Sequence, residues 1–181
     1  MQDIIPAIKK EFFAYRNGII ADALRSSGDP HSFIMGCQLV DVVAITSRYE
    51  QSPELAQALW NDRKHRECRM AATMLYPIDM IDEETALKWA QDVECNEIAD
   101  VLCHRLLRRL PYASSLAMTL LNNAEDNSRM AYTGLRLLLN LLIMGEVDNH
   151  DEIARVVARI RSTDPSKDIV RLLDSIEEEL E

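Results

Sequence analysis

The chain has 181 residues, 48% of them apolar, with only 5 Gly and 6 Pro and a formal net charge of −10. That length and apolar content suffice for one cored domain, and the scarcity of Gly and Pro with abundant Leu, Ala, Glu and Arg argues against a sandwich or barrel. The acidic balance repels a phosphate backbone at long range and disfavours non-specific nucleic-acid binding, although a local basic face is compatible with it.

In chain order the apolar spacing follows a 3.6-residue period nearly everywhere, and strand alternation is almost missing. Pro6 suits the first turn of a helix running to about Ser26, and Gly28-Asp29-Pro30 breaks it. A second helix is expected from about Ser32 to Tyr49. Ser52-Pro53 supplies a cap and a first-turn proline for a short helix through Trp60. From there a short helix, a tight turn and a longer helix recur: 53–60 with 63–76, 83–92 with 95–110, 112–123 with 127–145, and 150–161 with 165–180. Pro77, Asp82, Pro111, Asn122-Asn123, Gly145, Asp148-Asn149 and Asp164-Pro165 punctuate them. Each pair is apolar on more than one face and must stack on a neighbour. The expectation is an all-α, HEAT-like α-solenoid of stacked antiparallel helix pairs, one domain over 1–181. Only the acidic end Glu177–Glu181 reads as disordered.

The longest apolar run, Leu135–Met144, is interrupted by Arg136 and Asn140 and is too short for a bilayer. The N-terminal decade carries Asp3, Lys9 and Lys10 and lacks a leader's apolar stretch. Cys37, Cys68, Cys95 and Cys103 form no CxxC pair. A reducing, cytoplasmic setting without a membrane partner is the simplest expectation.

At 100° per residue the longer helices show narrow polar stripes. In 127–145 the stripe is Arg129, Thr133, Arg136 and Asn140. In 63–76 it is Asp62, Arg66, Arg69 and Thr73, and in 95–110 it is Asn96, Asp100, His104 and Arg108. Two readings stand. Each stripe is the solvated face of an amphipathic helix, with local pairs such as Asp100–His104 and Glu67–Arg63. Alternatively, stacking aligns Arg66, Arg69, Arg108, Arg129 and Arg136 on one concave, anion-binding surface, for which arginine's bidentate fork is suited.

Leu59-Trp60, followed by Arg66-Glu67-Cys68-Arg69-Met70-Ala71, resembles the AlkD-like DNA alkylation-repair family, as do Leu87-Lys88-Trp89-Ala90 and Asn96-Glu97-Ile98-Ala99-Asp100. The resemblance covers roughly residues 53–145. It implies a HEAT-like solenoid holding duplex DNA on its concave face, and a glycosylase that excises cationic alkylated purines without metal or cofactor. It further implies that Asp100 is the essential carboxylate, opposing positive charge on the sugar, and that Arg129 or Arg136 contacts the DNA. Asn96 stands where the family has a Trp, and the family's C-terminal Trp has no counterpart after Trp89. A non-catalytic HEAT-type module for a protein or peptide is the alternative.

Other constellations carry less. Cys68, Cys95, Cys103, His65 and His104 show no structural-zinc spacing and read as core cysteines and local histidines. Trp60 and Trp89, at equivalent places in successive repeats, read as packing residues, with a base-stacking platform as the alternative.

Overall fold

The computed structural model describes residues 3–124 and 127–180, and among them it is all-helical: eleven α-helices, one 3₁₀ turn and a single isolated backbone bridge. The all-α class is the one the periodicity implies. The chain divides into two compact units, residues 1–81 and 82–181. No described helix is long and apolar enough to cross a membrane.

The first unit holds α1 (Ile4–Ala14), α2 (Gly18–Ser26), α3 (Leu39–Thr46), α4 (Pro53–Trp60) and α5 (Arg66–Leu75). The single helix expected to run to Ser26 is two. Asn17 interrupts it: its side chain accepts from the Ile19 and Ile20 amides, capping α2, while its own amide donates to the Met35 carbonyl. The helix expected over 32–49 is shortened to α3. Its first part is extended, because Phe33 pairs its backbone with Lys64 and Arg66 instead of with itself. Gly36 makes this possible. Its φ is +78°, and a Cβ there would lie 2.2 Å from the Asn17 carbonyl oxygen, so no other residue fits without moving the backbone. Ser52 and Pro53 start α4 as expected, with the Ser52 hydroxyl accepting from the Leu55 amide. α4 and α5 pack as a hairpin, and α3 lies against α5.

The second unit holds α6 (Glu83–Gln91), α7 (Asn96–Arg105), a 3₁₀ turn (Leu107–Arg109), α8 (Ala113–Asn122), α9 (Ser128–Ile143), α10 (His150–Arg161) and α11 (Lys167–Leu180). α9 is its axis. It touches α6, α7, α8 and α11, which explains why Leu135, Leu137, Leu138, Leu139, Leu141 and Leu142 are all buried. α6 packs chiefly on α8 and α9, with at most marginal contact to α7, so the expected 83–92 with 95–110 hairpin is not the principal pairing. α8 and α9 do form a close hairpin, and Gly134 sets its spacing: a Cβ there would lie 2.8 Å from a Leu121 methyl carbon. Gly134→Ala is therefore expected to destabilise the second unit by about 1–3 kcal/mol, the usual range for an overpacked core. Chemical denaturation checks this, and an unchanged midpoint would mean that Leu121 yields freely.

The acidic end is not disordered through Leu180. α11 continues to that residue because Ile169, Leu172, Leu173 and Ile176 bury one face, and because Arg161 on α10 pairs with Asp174 at 2.7 Å and Glu177 at 2.8 Å. Glu181 lies outside the described residues.

Candidate nucleic-acid and catalytic site

Two of the predicted site residues meet in the second unit. Asp100, in the second turn of α7, and Arg136, in the middle of α9, are ion-paired, with Arg136 Nε 2.7 Å from Asp100 Oδ1. The Tyr132 hydroxyl donates to the same carboxylate oxygen at 3.0 Å, and Arg136 Nη2 donates to the Tyr132 oxygen at 3.2 Å. The spacing produces this triangle. Tyr132 and Arg136 are four residues apart and share one face of α9, and the packing of α7 on α9 brings Asp100 to that face. The Asp100 side chain is 42% exposed and that of Arg136 29%, so the cluster is open to a ligand.

The electrostatics are divided. Burial pushes the Asp100 carboxyl above its usual range, while Arg136 and then Tyr132 pull against that shift. Burial likewise raises the Tyr132 phenol, opposed by its bond from Arg136. Arg136 is held still more firmly charged, since its bonds to Tyr132 and Asp100 outweigh burial. At neutral pH the cluster is therefore a carboxylate clamped by a permanent cation and a phenol. Beside it lies a cavity of about 290 Å³ lined by Asn96, Tyr132, Arg136, Leu139, Asp168 and Arg171, among others. Asn96 donates to Asp168 on its rim at 3.2 Å.

The other predicted contacts are placed differently. Arg129, near the start of α9, is exposed. Arg108 does not continue the Asn96–Asp100–His104 row. α7 ends at Arg105, Leu106 leaves helical geometry (φ −121°, ψ −64°), and Arg108 lies half-buried in the 3₁₀ turn. Asp100 bonds across to α9, so its partner is the neighbouring helix and not His104.

Arg66 and Arg69 are corrected outright as surface contacts. They are 3% and 0% exposed and bond to groups of the first unit. Arg66 Nη1 donates to the Cys37 carbonyl at 3.1 Å and to Glu67 at 2.8 Å. Arg69 stacks its guanidinium 3.4 Å over the Trp60 ring and donates to the Trp60 carbonyl at 2.6 Å. Buried charges must be paired in this way because an uncompensated one is too costly. Trp60 and Trp89 are each 1% exposed, so neither offers a face for stacking on a base. Cys68 and Cys103 are buried as expected, whereas Cys95, also read as a core cysteine, is only half-buried; Cys37 is buried too, and burial raises the Cys37 and Cys68 thiols to about 12.

Tyr132 is the residue that sequence reasoning passed over. It sits between Ala131 and Thr133 in a leucine-rich helix and reads as core. The available signal was its i, i+4 relation to Arg136, which places it on the edge of the polar stripe.

The fold and this cluster define an all-helical protein with a solvent-facing carboxylate–guanidinium–phenol site. The family follows from comparison: a profile described as DNA alkylation repair enzyme matches residues 8–130, and the chain belongs to that family. No curated protein and no solved structure matches the chain.

Proposed function

We propose that this protein excises cationic alkylated purines from duplex DNA, with Asp100 as the carboxylate that opposes charge on the sugar. The observation that supports this most is the ion pair between Asp100 and Arg136. In this reading Asp100 takes the family's carboxylate role, and its partner Arg136 is an arginine that meets the DNA backbone beside it.

The chemistry requires little machinery. An alkylated purine already carries positive charge. As the C1′–N bond breaks, its electron pair leaves with the base and neutralises it, while positive charge grows on the sugar. An ionised Asp100 stabilises that charge only where it develops, which accelerates bond breaking without tighter ground-state binding. Water then adds to C1′ and gives up a proton. In the free protein Arg136 masks Asp100. A phosphate oxygen offers the guanidinium a competing anion, so a bound backbone draws it partly away and leaves the carboxylate to the sugar. Tyr132 keeps the carboxylate oriented. The exposed Arg129 adds a second phosphate contact at the start of α9.

The test is release of N-alkylated purine from alkylated duplex DNA, together with DNA affinity across salt concentration. Release above the spontaneous rate is expected. Affinity is expected to fall steeply with salt, and Arg129→Glu should weaken all sequences alike and flatten the log–log slope by about 1. No release and no binding at low salt would overturn the proposal. A protein-interaction module would then stand in front, favoured by the exposed apolar side chains Phe13, Ile19, Phe33 and Val40 of the first unit, Ile19 at 85%.

A further inference from the structure

We propose that Asp62, His65 and Cys68 form a binding site for a single transition-metal ion of zinc type, independent of the DNA-facing cluster. The three donors are spaced three residues apart through the turn after α4 and the first turn of α5. A carboxylate oxygen, an imidazole nitrogen and Sγ, one from each, all lie within 4.8 Å of one another. Tetrahedral zinc, with bonds of about 2.0–2.3 Å, needs its donors roughly 3.3–3.7 Å apart. The present separations therefore ask for side-chain adjustment and no refolding.

The surroundings support such a site. His65 Nδ1 is 2.9 Å from Asp62 Oδ1, so these two donors already converge. The Phe33 ring stacks on the imidazole at 4.7 Å with a 14° interplanar angle. The backbone is pinned on both sides of His65, since the Phe33 amide donates to the Lys64 carbonyl and the Arg66 amide to the Phe33 carbonyl. The stack and the pinned backbone limit how far the imidazole can swing away from Asp62. Lys9 Nζ sits on the other Asp62 oxygen, so the carboxylate already has a cation beside it. That ammonium is on a partly exposed, flexible stem and can leave when a divalent ion replaces its charge. Asp62 and His65 are 19% and 21% exposed, which provides the entry path, while Cys68 is fully buried behind them. Thiolate, imidazole and carboxylate together suit zinc and cobalt better than magnesium or calcium. Three protein donors leave a fourth position for water. On binding, the Cys68 S–H proton passes to solvent and an Sγ–metal bond forms.

Cysteine and histidine spacing alone does not reveal this trio, because its third donor is a carboxylate.

The full chain, stripped with a chelator, is titrated with zinc against a chromophoric competitor, and separately with cobalt(II). One zinc per chain is expected, and cobalt should give a thiolate-to-metal charge-transfer band. Cys68→Ser should abolish the band. His65→Gln and Asp62→Asn should each weaken zinc by more than about 100-fold, beyond the 10–100-fold that outer partners of a ligand typically contribute. Cys68 lies in the core, so its variant is checked for folding by circular dichroism. The two partly exposed positions carry the test if it unfolds. Absence of the cobalt band in folded wild type, or zinc affinity unchanged in both His65→Gln and Asp62→Asn, would overturn the site. Neither result bears on base release.

Discussion

Asp100→Asn is expected to slow base release from alkylated DNA by about 10²–10³-fold, the usual loss when one preorganised electrostatic group is removed, while DNA affinity changes little. Asparagine keeps the size of the side chain and can still accept from Tyr132, so geometry survives and only the charge is lost. The structural cost should be small. The Asp100–Arg136 pair is partly open to solvent, and such pairs contribute on the order of 1 kcal/mol or less. A large fall in rate with a nearly unchanged melting temperature would therefore identify a role in the transition state. The pH profile supplies an independent readout. Burial raises the Asp100 carboxyl above the normal aspartate range, and the ionised form is the active one. Activity should thus fall on the acid side at a higher pH than an ordinary aspartate would dictate, and the residual activity of the Asn variant should lack that limb. Equal release by both proteins would remove Asp100 from the chemistry.

Glu67→Ala is expected to cost the first unit about 3–5 kcal/mol, the range for breaking a buried charge pair from one side. Glu67 is 1% exposed. Its two oxygens accept from the Met35 amide at 3.1 Å and the Gly36 amide at 2.9 Å, and it pairs with Arg66 at 2.8 Å. Alanine would leave the Met35 and Gly36 amides without their acceptor and take the Glu67 carboxylate away from Arg66 in a nearly dry site, and orphaned buried groups carry the full cost of their desolvation. Glu67→Gln retains one acceptor and should lose less. Trp60, the tryptophan of the first unit, can report this unfolding in a Trp89→Phe background. Amide exchange at Met35 and Gly36 should accelerate in the same variant. A shift below about 1 kcal/mol with exchange unaltered would mean that the Arg66 and Phe33 backbone contacts suffice to hold the extended segment.

The Arg66-Glu67 pair thus has a different role from the one its place in a polar stripe suggested. A helical wheel reports which residues share a direction, and it says nothing about what lies in that direction. For α5 the direction is buried, and the extended segment before α3 supplies carbonyls and amides to Arg66 and Glu67 there. For α9 it is the edge of the second unit, where Arg136 stays partly exposed. Identical periodicity therefore placed one set of arginines in the core and another at a candidate site.

By itself the sequence determined the all-α class, the start of α4 at Ser52-Pro53, the existence of α4 to α11 with the approximate limits of all but α7, and the nearly complete burial of α9. These depend on local quantities: 3.6-residue periodicity, side-chain caps, and breakers such as Pro111 and Asp164-Pro165. Tertiary structure alone decided the rest. The division at Asn17 and the extended stretch before α3 exist because distant groups, the Met35 carbonyl, the Lys64 carbonyl and the Glu67 carboxylate, outbid the helix for backbone hydrogen bonds. The meeting of Asp100 with Tyr132 and Arg136 required two helices, more than thirty residues apart, to pack at one particular register. Such contacts are weak individually and are fixed only when the apolar faces of α7 and α9 close together, so nothing in the local sequence specifies them.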